Sequence, residues 1–311
     1  MIAFGPVPSR RLGQSLGINN IPAKICTYSC VYCQLGRTIK MHWTREKYYG
    51  PDRVFKEVSE KVKNATKLGE RIDYLTFVPD GEPTLDNDLE EEIKRLRNIG
   101  IKIAVITNSS LIYLEEVRSA LRQADLVSVK VDSTDDQIWR KIDRPPKNMK
   151  LGMILEGIKK FAASFEGTLL SETMLVKGLN DGPEAVRGVA QFLAGINPDT
   201  AYISIPIRPP AENFVETPDE ETIVSAYNIM SEHVRNVEYL IGYEGNAFAF
   251  TGNAEEDILS TTSVHPMRSD AVSELLRKAG ADWSIVEKLI EEKKLIKLEY
   301  KGKTFYMRKL A

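Results

Sequence analysis

The chain has 311 residues, 42% of them hydrophobic and 28% charged, with 42 Lys and Arg against 44 Asp and Glu. That balance excludes a disordered, fibrous or polycationic chain, and it leaves room for one large α/β domain with an appendage. A formal net charge of -2 confines any polyanion contact to local patches, and with neither a run of about 18 apolar residues nor a secretory pattern at the start, a cytoplasmic protein without a membrane span is expected.

A short strand near 16–18 precedes the segment KICTYSCVYCQLG, which holds Cys26, Cys30 and Cys33, the only cysteines in the chain. Val54, Phe55, Val58 and Val62 then follow a helical period stopped by Gly69, and 72–78 reads as a buried strand. Leu85, Leu89, Ile93, Leu96 and Ile99 predict a helix closed by Gly100, and 101–107 a strand. The cycle repeats with a helix over 114–123, a strand over 125–131, helices flanking the proline pair at 145–146, a strand over 168–176, a helix over 184–193 and a strand over 201–207. Strands alternating with helices at this spacing predict right-handed crossovers and a parallel sheet. About six βα units are too few for a closed eight-fold barrel, so an open or partial barrel is expected.

A last strand-like stretch over 239–243 ends the alternation. A short helix with Val272, Leu275, Leu276 and Ala279 stops at Gly280, Asp282 caps another, and strands over 295–300 and 304–308 flank a Lys301-Gly302 turn. This predicts three parts: a barrel over 1–252, a linker over 253–268 and a winged-helix-like module over 269–311.

Clustered thiols in a reducing compartment point to zinc or iron and sulfur. A structural zinc site needs a fourth ligand, and His42, His233 and His265 stand at no zinc-knuckle spacing. A four-iron cube held by three thiolates keeps one iron open, which is where a small molecule can bind.

The CxxxCxxC spacing resembles the radical S-adenosylmethionine (SAM) superfamily, whose cysteine loop follows the first strand of a partial (β/α)6 barrel. Together with FGPVPSRRLGQSLGIN, DGEPTL, LVKGLND and IPIRPPAE, it resembles a subgroup of iron-sulfur oxidoreductases loosely grouped with archaeal wyosine synthase, which modifies tRNA. The resemblance implies a [4Fe-4S] cluster on Cys26, Cys30 and Cys33, with SAM chelated at the open iron. One electron from a flavodoxin- or ferredoxin-type donor would cleave SAM to a 5'-deoxyadenosyl radical that abstracts a substrate hydrogen.

Strand ends supply the implied SAM contacts. Gly81 and Glu82 match the family's GGE segment, with Asp80 where the first glycine often stands; a solvated Gly-Pro turn is the alternative. Asn108 follows the third strand. Ser128, Lys130 and Asp132 alternate on one face of the fourth, Lys130 implied for the SAM carboxylate and Asp132 for the ribose, against a half-exposed strand. Tyr32 stands where the family places an aromatic near adenine. Arg208 and Lys177 are candidates for an anionic group, while Met174 ranks below them; Glu172 and Glu244 are the remaining strand-end residues.

With three cysteines the chain cannot hold a second all-thiolate cluster. Lys293, Lys294, Lys297, Lys301, Lys303, Arg308 and Lys309 cluster in the last module, and Arg10, Arg11, Arg37, Lys40, Arg45 and Lys47 lie near the cysteines. These favour RNA or tRNA as the partner. The alternatives are a small molecule, a partner protein activated by radical transfer, and a non-catalytic iron-sulfur or nucleic-acid binding protein.

Overall fold

A computed structural model describes residues 2–242 and 245–309. Glu244 and the last two residues of the expected C-terminal module lie outside the described residues, as does the end of the strand expected over 239–243.

The first part of the chain forms β1 (Ala3–Ser9), β2 (Gly13–Ile18), β3 (Ile25–Cys26), β4 (Lys40–Met41), α1 (Pro51–Lys67), β5 (Tyr74–Phe77), α2 (Leu89–Leu96) and β6 (Lys102–Thr107). It continues with α3 (Glu115–Leu121), β7 (Leu126–Lys130), α4 (Asp136–Ile142), α5 (Leu151–Ala162), β8 (Thr168–Met174), α6 (Pro183–Ile196), β9 (Thr200–Ser204), α7 (Glu220–Ser231) and β10 (Val237–Leu240). One curled half-barrel sheet runs in the order β1-β2-β5-β6-β7-β8-β9-β10. Every neighbouring pair from β2 onward is parallel. Six βα units followed by β10 match the expected count.

β1 is an addition to that expectation. Pro6 and Pro8 argue against a central strand because they lack an N–H, and the chain resolves this by placing β1 at the sheet edge. There it pairs antiparallel with β2, its register shifting between Phe4 and Val7. Gly17 makes the pairing possible: a Cβ there would stand 2.0 Å from the Phe4 ring.

The helix expected from Leu85 starts later, because Pro83–Leu85 forms a 3-10 turn whose first free N–H is capped by Glu82. α7 was not expected; Asp219 caps it by accepting Thr222 N at 2.8 Å, and Ile223, Ala226, Ile229 and Met230 supply its buried stripe.

The two faces of the sheet differ. Leu16, Leu75, Phe77, Ile103, Val105, Val127, Val129 and Ile203 join the main core under the helices. The other face carries a smaller apolar cluster of Leu12, Ala104, Leu126, Leu170 and Tyr202. Beyond it, towards the carboxyl ends of the strands, that face turns polar with Ser128, Lys130, Glu172 and Ser204, consistent with period-two alternation.

The linker expected over 253–268 is corrected by the structure. These residues form α8 (Ala254–Thr262) and β11 (Met267–Arg268), followed by α9 (Ser269–Ala279), α10 (Ser284–Glu291), β12 (Leu295–Tyr300) and β13 (Lys303–Arg308). Asn253 caps α8, and Ile258, Val264 and Met267 share one core with Val272, Leu276, Leu289 and Tyr306 and also with Phe4 and Val7 of β1. A tether would leave that apolar surface in water, so burial makes the segment part of the fold. The last sheet runs in the order β11-β13-β12 and is antiparallel. None of the helices among the described residues is long and apolar enough to cross a membrane.

Candidate active site

The cysteine loop leaves β3 and lies across the carboxyl ends of the strands. β3 pairs with β4 in parallel, Cys26 opposite Met41, and His42 N donates to Cys26 O at 3.0 Å. On its other side Ile25 bridges to Gly81, and Glu82 N donates to Ile25 O at 3.3 Å. A Cβ on Gly81 would stand 1.9 Å from Ile25 O. The backbone approach that calls for glycine here is therefore the approach of the cysteine loop itself.

Glu82 is buried and ties the turn after β5 to the end of β6. Its Oε1 accepts Thr84 N, Thr84 Oγ1 and Thr107 Oγ1 at 3.1, 2.6 and 2.7 Å, and its Oε2 accepts Asn108 N at 2.7 Å. Oε2 keeps one lone pair for a further donor. Burial raises its pKa, against the lowering effect of those hydrogen bonds. Asn108 turns its amide to the cysteines, donating to Thr27 Oγ1 at 2.8 Å and meeting Cys26 Sγ at 3.5 Å.

Asp80 departs from the expected glycine for a visible reason. Its carboxylate lies 3.8 Å from Lys24 Nζ, and Lys24 N donates to Asp80 O at 2.7 Å, so the pair staples the start of the loop to the end of β5. Burial pushes Asp80 up to about 6, with Lys24 opposing.

Ser128 accepts Arg11 Nη1 at 3.2 Å, while Lys130 and Asp132 meet the loop at Tyr32. Lys130 Nζ pairs with Glu172 Oε1 at 2.9 Å and lies 4.9 Å from the centre of the Tyr32 ring. Glu172 also receives Arg11 Nη1 at 2.5 Å and Ser204 Oγ at 2.9 Å. Although burial opposes it, the charges of Lys130 and Arg11 hold Glu172 well below the usual carboxylate range. Tyr32 OH donates to Asp132 and lies 3.2 Å from Asp143 Oδ1, while Cys30 Sγ meets Asp143 Oδ1 at 3.3 Å. Burial raises both acids, and the charge of Asp132 adds to the effect on Asp143. In this arrangement Tyr32 and Asp132 hold each other.

Arg208 reaches the cysteine loop from another side, donating to Gln34 Oε1 at 2.8 Å, its Nη2 lying 3.0 Å from His265 Nε2. Gln34 Nε2 in turn donates to Val264 O at 3.0 Å, which fastens the loop to the C-terminal module. Lys177 pairs with Glu216 at 3.4 Å and is half exposed, and Met174 meets Asp132 through its backbone N–H at 2.7 Å.

Asp143, Gln34 and Glu212 did not emerge from sequence. Glu212 accepts both Arg37 Nε and Nη2 at 2.8 Å and also pairs with Arg144, holding the loop beyond Cys33. Asp143 and Glu212 lie more than 100 residues from the loop groups they hold, and Gln34, inside the loop, meets Arg208 and Val264 from comparably distant parts of the chain, so no local spacing announces these contacts.

Burial pushes the Cys26 thiol up to about 12, with the charges of Glu82 and Cys33 adding to it. Cys30 is raised by burial and then by Asp143, Cys26 and Cys33, and Cys33 is raised by burial against Lys24 and Lys130. Among the described residues no three Cys, His, Asp or Glu side chains converge on a single metal ion. A four-iron cube makes a different demand, since each thiolate binds a separate iron. Three thiols on one loop whose charged forms raise one another's pKa fit it, because a cationic cluster core would hold them deprotonated.

The comparisons agree. The chain is 50% identical over 311 residues to a UPF0026 protein of Methanocaldococcus jannaschii, covering 99% of this chain and 96% of the relative. Solved structures share the fold: TYW1 with a lysine-pyruvate adduct bound has a TM-score of 0.56 at 17% identity, over 71% of this chain and 74% of that one. A radical SAM methyltransferase from Sphaerobacter thermophilus has a TM-score of 0.55 at 15% identity, over 73% of this chain and 66% of that one. At 17% identity the likeness to TYW1 is one of fold alone. Residues 20–192, which carry the cysteine loop and the four parallel strands β5 to β8 of the main sheet, match the model of the radical SAM superfamily, and the chain belongs to that superfamily.

Proposed function

We propose that the protein is a radical SAM enzyme that cleaves SAM reductively at a single [4Fe-4S] cluster and abstracts a hydrogen atom from an RNA, tRNA in particular. The observation that carries this reading is the gathering of side chains from strand ends and from the end of α4 onto the cysteine loop: Asn108 at Cys26, Lys130 over Tyr32, and Asp143 at Cys30. When bound, the cluster supplies the electron for the cleavage, received from a low-potential donor of the flavodoxin or ferredoxin type.

The protein's own groups have separate duties. Glu82 Oε2 has one acceptor position left for the SAM amino group. Lys130, already paired with Glu172, would share its charge with the SAM carboxylate. Asp132 would exchange the Tyr32 hydroxyl for ribose hydroxyls, freeing the Tyr32 ring for adenine. Arg208 braces the loop through Gln34.

For the C-terminal module we propose a winged-helix role in RNA docking. Support comes from the order α8, β11, α9, α10, β12, β13 and from the exposed Lys303 and Lys309. Lys294 and Lys297 contribute less, since each has an acidic neighbour, Glu292 at 2.6 Å and Glu299 at 3.5 Å. A small anionic substrate is the second reading, favoured by Arg11 and Lys130 on the sheet's inner face.

Anaerobic reconstitution followed by dithionite and SAM tests the chemistry. The expected products are 5'-deoxyadenosine and methionine, lost in Cys30→Ala; a reconstituted cluster that never cleaves SAM sinks the proposal. For the substrate, deletion from Ser269 would separate β11 from β13 and confuse folding with binding. Combined Lys303→Glu and Lys309→Glu instead should weaken tRNA binding by about tenfold or more and flatten its salt dependence. Unchanged affinity removes the RNA reading and leaves the small anion.

A further inference from the structure

Away from the cysteines, Asn20, Asp86 and Glu92 come together from three parts of the chain: the connection after β2, the turn after Pro83–Leu85, and α2. All three are fully buried. Four of their oxygens, Asn20 Oδ1, Asp86 Oδ2, and Glu92 Oε1 and Oε2, have no hydrogen-bond partner among the described residues.

The remaining polar atoms are engaged in ways that orient these oxygens. Asn20 Nδ2 donates to Pro83 O at 3.2 Å, which settles which end of the amide is oxygen. Asp86 Oδ1 accepts Asp88 N at 2.9 Å, leaving Oδ2. Burial, and then the charge of Asp86, raises the Glu92 pKa, and Asn20 beside it acts to lower it. The nearby Arg45 does not neutralise the carboxylates by direct contact, since its Nε and Nη2 donate to Thr84 O and Asp86 O at 2.8 and 2.7 Å. Lys47 pairs with Asp88 at 3.0 Å.

Buried oxygens without donors are costly to fold around. A proton carried by Glu92 engages at most two of the four oxygens, the one that holds it and the one that accepts from it. A metal cation engages all four and cancels both carboxylate charges. We propose that Asn20 Oδ1, Asp86 Oδ2 and the two Glu92 oxygens form a site for a hard divalent cation of the calcium or magnesium class. Carboxylate and amide oxygens are the ligands such ions take, and thiolate-seeking metals would leave them for the cysteines. The ion would fasten α2 and the connection after β2 to the turn that carries Glu82, and it supports that turn independently of the iron-sulfur chemistry.

The test uses the full chain with its cluster, dialysed against chelator under anaerobic conditions, then titrated with CaCl2 or MgCl2 while thermal unfolding is followed. MnCl2 serves as a probe of stoichiometry by electron paramagnetic resonance. The expected result is one equivalent bound and, at a hundredfold excess over Kd, a rise in Tm of roughly 5 °C. Asp86→Asn and Glu92→Gln should abolish the rise, and Asn20→Ala should raise Kd about tenfold or more, all with iron content unchanged. A wild-type Tm indifferent to these cations, with no Mn2+ bound, overturns the proposal in favour of a shared proton and buried water. A rise that survives in both carboxylate variants places the ion elsewhere and also overturns it. Should the variants fail to fold, the wild-type titration decides alone.

Discussion

Glu172 and Glu92 are both carboxylates sealed inside the same domain, and they end in opposite states. Glu172, on the inner face of the sheet, sits between Lys130 and Arg11 with Ser204 as a further donor, so its charge is favoured even though water is excluded. Glu92, on the helix side, has burial and Asp86 acting against its charge and no cation touching it. Burial alone therefore does not decide ionisation here; the donors and charges that share the burial do. Glu82 lies between these extremes, buried without a cation yet holding four hydrogen bonds.

The sharpest way to break this comparison is to remove each carboxylate in turn. Glu172→Ala leaves Lys130 and Arg11 facing each other without a counter-charge, and the loss should be about 3–5 kcal/mol in urea unfolding. A loss below about 1 kcal/mol would show that the inner face admits enough water to screen the pair. Glu92→Gln, measured in chelator, should change stability by less than about 1 kcal/mol, because the amide mimics a carboxyl that already holds its proton.

A smaller, graded effect is expected in the pH dependence. Glu172 has a folded pKa below its unfolded value, so its contribution is present above the ordinary carboxylate range and is lost as the pH falls through the folded value. Glu92 without a cation has the opposite sign: the folded state holds the extra proton, and stability declines as the pH rises from the carboxylate range towards the alkaline side. Each proton bound differently contributes a slope of about 1.4 kcal/mol per pH unit. Comparing unfolding profiles of Glu172→Ala and Glu92→Gln with the parent separates the two limbs. An alkaline limb that persists in Glu92→Gln, or that excess Ca2+ leaves untouched, would count against the assignment of that limb to Glu92.

The C-terminal module teaches a related point about boundaries. Residues 253–268 look like a tether because their polar runs hide the spacing of Ala254, Ile258 and Thr262, yet these bury against β1 and the final sheet. Nothing local in β1 announces this partner, and Phe4 and Val7 become core only when α8 covers them. The module is thus fastened to the barrel at two places, the β1 edge and, through Gln34 and Val264, the cysteine loop.

What the sequence alone determined is what local spacing can encode. Periods of 2 and 3.6 placed the parallel strands and most of the helices that separate them, the CxxxCxxC spacing located the cysteine loop, and alternation put Ser128 and Lys130 on one face of β7, with Asp132 just past its end. The family itself was legible, because its motif depends on residues a few positions apart. Only the tertiary structure decided who meets whom across the sheet: Arg11 and Lys130 on Glu172, Tyr32 on Asp132, Asp143 at Cys30, and Asn20 and Asp86 beside Glu92. Those pairings are electrostatic and steric facts about groups distant in the chain, created when the sheet curls and water is driven out. A one-dimensional pattern of polar and apolar residues shows which groups will be buried there, but the charge each one carries depends on neighbours that folding alone brings within reach.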